Sequence, residues 1–227
     1  MKYMDIHSHT YYSGCGKDEP HVIIDKAIES GIKLFGICDH NYGIGQRKEE
    51  YSKLINSLKK EYEGKITLLC GIEISVIPEK YDMTEDDYKL FDYCLIENPD
   101  SEGKISEHNL FEFLDSIKIK KGIAHTDLFA AAEKRNMAPE EFFKRLADTG
   151  TFWEMNVNYD SIHSYRENEY VKRFFESETQ QKIIKDSGVY VSIGFDGHRI
   201  EDYLGDRVIE YNKKLEATGV KTADLLF

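Results

Sequence analysis

The opening stretch Met1-Lys2-Tyr3-Met4-Asp5-Ile6-His7-Ser8-His9-Thr10 decides how the rest of the chain is read. Residues Lys2 to Ile6 have the make-up of a short strand, and His7-Ser8-His9 stands at its end. In an extended chain alternate side chains point to one face, so His7 and His9 project together, about 7 Å apart along the backbone. That spacing lets two imidazoles grip one metal ion from one side. Alone, the pair fits a polar strand end equally well, and the downstream residues decide between the two.

Beyond this strand the chain alternates steadily between helical and strand patterns. A Gly-, Ser- and Tyr-rich loop, Tyr11 to Glu19, leads to Pro20 at a first helical turn. Residues His21 to Ser30 carry Val22, Ile23, Ala27 and Ile28 at helical spacing. Lys33 to Cys38 predicts a second strand with Asp39-His40 at its end, and a loop, Asn41 to Gly45, comes after it. A helix is expected over Lys48 to Tyr62, and a third strand over Lys65 to Cys70, continued by Gly71-Ile72-Glu73-Ile74. The acidic stretch Glu79 to Asp87 reads as surface loop or short helix. Phe91 to Ile96 predicts a fourth strand, and Ser106 is the expected N-cap of the helix after it. A fifth strand, Lys121 to Ala124, ends at His125. Then come a helix within Asn136 to Asp148 and a sixth strand, Thr151 to Val157. One long amphipathic helix is expected over Asn168 to Ser187, and a seventh strand over Val189 to Phe195. Closing helices are expected at Tyr203 to Leu215 and Lys221 to Leu226.

Strands alternating with helices imply parallel strands joined by crossovers. Seven strands in one run, without linker or repeat, favour a single (β/α)7 barrel domain over residues 1–227. An open doubly wound sheet is the alternative.

Composition narrows the function classes. The 227 residues are 41% hydrophobic, enough for a sizeable core. No apolar run approaches 18 residues, so no membrane helix is expected, and the N-terminus lacks signal-peptide regions. A cytoplasmic protein is the expectation. Cys38, Cys70 and Cys94 lie in apolar runs as small hydrophobes, without CxxC spacing, so no disulfide framework is expected. A net charge of −12 argues against long nucleic acids. It leaves room for a small anionic substrate, because bound metal ions supply local positive charge.

Polar residues punctuate the strands in one place. His7 and His9 follow strand one, His40 strand two and Glu73 strand three. His125 follows strand five, and Asp196 and His198 follow strand seven. In a parallel barrel these C-terminal ends meet on the face where active sites are built. Imidazoles and carboxylates suit zinc, manganese or iron. Seven such side chains exceed one tetrahedral site, which points to two or three divalent ions bridged by Glu73.

In their order and spacing, His7-x-His9, Asp39-His40, Gly71-Ile72-Glu73-Ile74, Ala124-His125 and Asp196-Gly197-His198 resemble the successive motifs of the PHP (polymerase and histidinol phosphatase) family. The resemblance covers the whole chain. It implies a distorted (β/α)7 barrel, a trinuclear metal site and hydrolysis of a phosphate ester by metal-activated hydroxide, with Glu73, Asp196 and His198 at the catalytic centre. It further implies that His7, His9, Glu73 and Asp196 hold one ion, Glu73 and His125 share in a second, and His40 and His198 hold the third. Two positions depart from the pattern. Where the family places a His, Asp or Glu after HxH, this chain offers Cys15 or Asp18. Where the family places a His after strand four, it offers Glu97, or His108 from farther along.

Arg47, Arg166 and Arg199 are the candidate phosphate contacts, since guanidinium groups bind phosphate in bidentate fashion. Tyr11 and Tyr12 are candidates for the rim, and Glu154 and Asn156 face the barrel interior or its edge. The expected activity is a metal-dependent phosphomonoesterase on a small phosphorylated metabolite, histidinol phosphate being one. The alternatives are a phosphodiesterase or nucleotide hydrolase, an amidohydrolase-type barrel, and a non-catalytic metal-binding module of the same family.

Overall fold

The seven apolar runs become seven parallel strands: β1 (Met4–Ser8), β2 (Leu34–His40), β3 (Thr67–Ser75), β4 (Tyr93–Glu97), β5 (Lys120–Ala124), β6 (Thr151–Asn156) and β7 (Val191–Gly194). They lie side by side in chain order in a computed structural model that describes residues 1–106 and 109–227. The sheet curls until β7 meets β1. A parallel bridge joins Ser8 to Gly197. The His9 amide donates to the Gly197 carbonyl at 2.8 Å, and the Asp196 amide to the His7 carbonyl at 2.7 Å. Strand order runs without reversal, so the fold is a nearly closed barrel, not an open sheet.

Ten α-helices are found among the described residues. They are α1 (Pro20–Glu29), α2 (Asn41–Ile44), α3 (Lys48–Glu61), α4 (Glu85–Tyr88), α5 (Leu110–Ser116), α6 (Leu128–Lys134), α7 (Pro139–Asp148), α8 (Glu169–Glu176), α9 (Glu178–Ser187) and α10 (Gly205–Thr218). Among the described residues no helix is long and apolar enough to cross a membrane.

Strand alternation divides the core. On β6, Trp153 points outward among Phe143 of α7 and Tyr170 and Phe174 of α8, at ring separations of 5.5 to 5.7 Å. Its neighbour Glu154 then points inward, and is fully buried. The barrel interior below the polar layer is plugged by Tyr93, whose hydroxyl donates to the Ile6 carbonyl at 2.6 Å. Glycine makes room for that ring, since a Cβ on Gly71 would lie 2.4 Å from it.

Four expectations are corrected. The long helix after β6 is two, because Ser177 leaves helical geometry and its side chain caps α9 by accepting from the Gln180 amide. The apolar stripe runs across the break, which hides it from periodicity. Ser106 does not cap a helix: its hydroxyl donates to the Pro99 carbonyl, and α5 begins at Leu110. The terminal segment forms only a 3-10 turn, Ala223–Leu226. The loop after β2 is helical, as α2.

Candidate metal centre

All seven polar residues at the strand ends converge at the C-terminal mouth of the barrel. The β1–β2 register shifts between Asp5 and Ser8, placing one extra residue in that part of β1. Such a bulge bends the strand and re-aims its side chains. His7 and His9 both turn inward, with Nε2 atoms 3.1 Å apart. Asp196 Oδ1 lies 3.0 Å from His9 Nε2 and 3.6 Å from His7 Nε2. Glu73 Oε2 lies 3.4 Å from each.

Glu73 joins this group to the next. Its Oε1 is 2.9 Å from His125 Nε2, and its Oε2 is 2.8 Å from His40 Nδ1. Despite that approach, neither Oε2 nor His40 Nδ1 has a hydrogen bond of proper direction among the described residues. Glu97 Oε2 stands 4.0 Å from His40 Nδ1, so His40, Glu73 and Glu97 form a second grouping. A third brings His9, Cys15, His40 and His198 together, with ligand atoms within 4.8 Å of one another.

Supporting groups fix the ring orientations. His7 Nδ1 lies 2.7 Å from Glu154 Oε1, and His9 Nδ1 lies 2.9 Å from Ser13 Oγ. Ser13 in turn donates to buried Asp39, which also accepts from the Thr10 amide and hydroxyl. His198 Nδ1 donates to the Asp196 carbonyl at 2.8 Å. These partners assign the proton of each ring to Nδ1 and turn its Nε2 to the cluster. Two of the converging residues have left-handed backbone, His125 at φ 27° and Asp196 at φ 58°. Such conformations cost on the order of 1 kcal/mol or more and persist only where surroundings enforce them. Glu154 Oε2 holds the His125 amide at 2.8 Å, and the His7 carbonyl holds that of Asp196.

Charge explains why the cluster suits cations. Burial raises the Glu73 carboxyl, but His40 and His7 outweigh it and hold the pKa well below the usual range. Burial likewise works against Asp196, and His7 and His163 override it downward. For His7, burial is outweighed by Glu154, Asp196 and Glu73, so it holds its proton well above the ordinary value. His9 goes the other way, lowered to about 3 by burial, with His40 and His198 adding repulsion. For His40 burial is again outweighed, and Glu73 and Cys15 raise it to about 11, so charged imidazoles and carboxylates alternate around the cluster. The donor set, imidazole nitrogens and carboxylate oxygens converging at short range, fits a divalent ion. Cys15 is half-buried; burial pushes its thiol up, but His198 and His40 bring it down to about 6.

The other candidates divide. Asp18 is used in the backbone frame, accepting from the Ile200 amide at 2.8 Å, and lies outside the groupings. His108 falls outside the described residues. The Arg47 guanidinium packs 4.7 Å above the Tyr12 ring. Arg199 lines a small hollow with Ile23 and Lys26 of α1, and Arg166 is exposed in the turn after β6. Tyr12 is buried and donates to Glu50, whereas Tyr11 is exposed. Asn156 Nδ2 donates to Asp196 Oδ2 at 3.3 Å. Tyr42 stacks on His40 at 4.7 Å, and Tyr159 and Tyr165 stand exposed in the turn after β6.

Sequence reasoning missed Asp160 and His163. His163 Nδ1 lies 2.7 Å from Asp160 Oδ1, and its Nε2 lies 3.3 Å from Asp196 Oδ2. Asp160, His163 and His198 form a fourth grouping of ligand type. The available signal was the three-residue spacing of Asp160 and His163, which a turn brings together.

Comparison with known proteins agrees with this picture. The PHP domain model matches residues 5–198. No curated protein sequence matches the chain. Among solved structures, it is similar to the histidinol phosphate phosphatase of Lactococcus lactis subsp. lactis, complexed with zinc, L-histidinol and phosphate. The two share 14% identity over 97% of this chain and 95% of that one, with a TM-score of 0.62. A histidinol phosphatase candidate from Listeria monocytogenes shares 15% identity over 88% and 96%, with a TM-score of 0.56.

Proposed function

The chain belongs to the PHP domain family and is a metal-dependent phosphoesterase, and we propose that its substrate is a small phosphomonoester, with histidinol phosphate the first candidate. The observation that carries this reading is Glu73. It is 1% exposed, and its two oxygens meet imidazoles from β1, β2 and β5 at 2.8 to 3.4 Å with Oε2 lacking a directed donor among the described residues. A buried carboxylate so surrounded is suited to bridging cations.

In this reading His7, His9, Glu73 and Asp196 hold one ion, Glu73, Glu97 and His125 a second, and His40 and His198 take part in a third. Ions so held would lower the pKa of bound water from 15.7 to about 7 and would neutralise phosphate oxygens. The chain's own residues do the positioning. Glu154 and Ser13 hold the Nδ1 sides of His7 and His9, so both Nε2 atoms face the cluster. Asn156 steadies Asp196. His163 stands beside Asp196 with Nε2 3.3 Å from Oδ2, and its N–H would turn to an entering phosphate oxygen once Asp196 is drawn to an ion. The exposed rings of Tyr11, Tyr42, Tyr159 and Tyr165 offer stacking faces to a planar group carried by the phosphate. The net charge of −12 disfavours a long polyanion and favours a small one.

The test is phosphate release from a panel of monoesters, histidinol phosphate included, in manganese, in zinc and in chelator. Chelator-sensitive release is expected, and the best substrate names the leaving group. Release from diesters but from no monoester would overturn the substrate class.

A further inference from the structure

The groupings at the barrel mouth differ in donor chemistry. Around Glu73 the ligands mix imidazole with carboxylate. The grouping of His9, Cys15, His40 and His198 has one sulfur and three nitrogens and no carboxylate. Cys15 is set there by backbone, not by chance exposure of a flexible loop. Gly16 packs so closely on residue 10 that a Cβ would fall 2.2 Å from the Thr10 carbonyl. The next amide, Lys17, donates to the His198 carbonyl at 3.0 Å, which ties the loop to the turn after β7. Across the grouping, Glu73 Oε2 is almost fully buried, aimed at His40 Nδ1, and lacks a directed hydrogen bond among the described residues.

Thiolate with imidazole is a borderline-soft set that prefers zinc or cobalt, whereas carboxylate-rich sets accept manganese and magnesium. We propose that Cys15, His40 and His198 form a thiolate-bearing metal site, selective for zinc-like ions and chemically distinct from the carboxylate-bridged ions on Glu73. The inference rests on the metal centre proposed around Glu73 and assigns a ligand that the resemblance leaves open.

Cobalt(II) tests it directly, because thiolate ligation gives an intense sulfur-to-cobalt charge-transfer band in the near ultraviolet. Metal-free full-length protein is titrated with cobalt, with bound ions counted by elemental analysis. The expected result is a band that saturates at one equivalent per chain. Cys15→Ser should lose the band and bind one fewer ion, and Cys15→Asp should restore the count without the band. A second reading needs no variant: zinc should slow iodoacetamide labelling of Cys15 in the wild-type protein by at least about tenfold, since a ligated thiolate is not free to attack, and manganese should protect far less. Cobalt bound at full count without a thiolate band, or a band that survives in Cys15→Ser, overturns the inference and leaves the Glu73 sites standing. No cobalt bound at all overturns both. Equal labelling with and without zinc also counts against the thiolate site.

Discussion

Strands β1 and β6 feed the same cluster in different ways. From β1 come His7 and His9, whose Nε2 atoms sit within the group of converging side chains. From β6 comes Glu154, one layer behind, which holds two of those residues in place: His7 through Nδ1 and His125 through its backbone amide. The loop after β6 adds His163, anchored on Asp160 and reaching Asp196 from the solvent side. In the proposed metal centre one strand thus ligates and the other holds the ligands. The first should be all-or-none and the second graded.

The largest effect should come from β1. His7→Ala removes one of the converging nitrogens and leaves Glu154 buried with one partner fewer. Phosphate release should fall by on the order of 10³-fold or more, comparable to losing a principal electrostatic element, with at least one metal ion lost per chain by elemental analysis. Unchanged metal content would remove His7 from the ligand set. Next is β6. Glu154→Gln keeps size and one acceptor while losing the charge, so metal affinity or activity should drop about 10- to 100-fold, the usual cost of altering a ligand's support. Competition with a chelating dye reads the affinity. A loss as complete as that in His7→Ala would mean that the two strands do not differ in kind.

Gly194 shows how tightly that support is built. A Cβ there would fall 2.0 Å from Glu154 Oε1 and 2.7 Å from His7 Cβ. Gly194→Ala should therefore push the pair apart and destabilise the metal-free protein by about 1–3 kcal/mol, as overpacking does. Urea denaturation in chelator measures this, and metal affinity should fall with it. A variant as stable as the parent would show that the strands can shift to absorb a methyl group.

Legibility in the sequence followed the same division. His7, His9, His40, Glu73, His125 and Asp196 each end an apolar run, so one pattern, polar residue after strand, placed them on one face of the barrel. Glu154 was legible as an interior or rim residue through its alternation with Asn156 along strand six, but its partners were not, because they lie on strands remote in sequence. His163 sits seven residues beyond the end of β6 in a turn without periodicity, and only the fold carries it to Asp196. The break between α8 and α9 was hidden for a related reason: a serine cap competes locally with a helical stripe that continues past it.

The smallest effect, and the sharpest test of the contrast, is His163→Ala. The ring is 29% exposed, so its loss opens no sealed cavity and water can solvate Asp160 and Asp196 in its place. As a holding residue at the mouth, it should leave the metal count intact. Its loss should raise KM by about 3- to 10-fold, in line with removal of one hydrogen bond to a charged group worth roughly 1.5 kcal/mol or less after solvent screening. kcat should change less than KM, because the contact is made to phosphate on entry as well as in the transition state. Steady-state kinetics with elemental analysis separates the cases. If an ion leaves with the ring, the turn after β6 supplies a ligand as β1 does, and the grouping of Asp160, His163 and His198 is itself part of the metal centre.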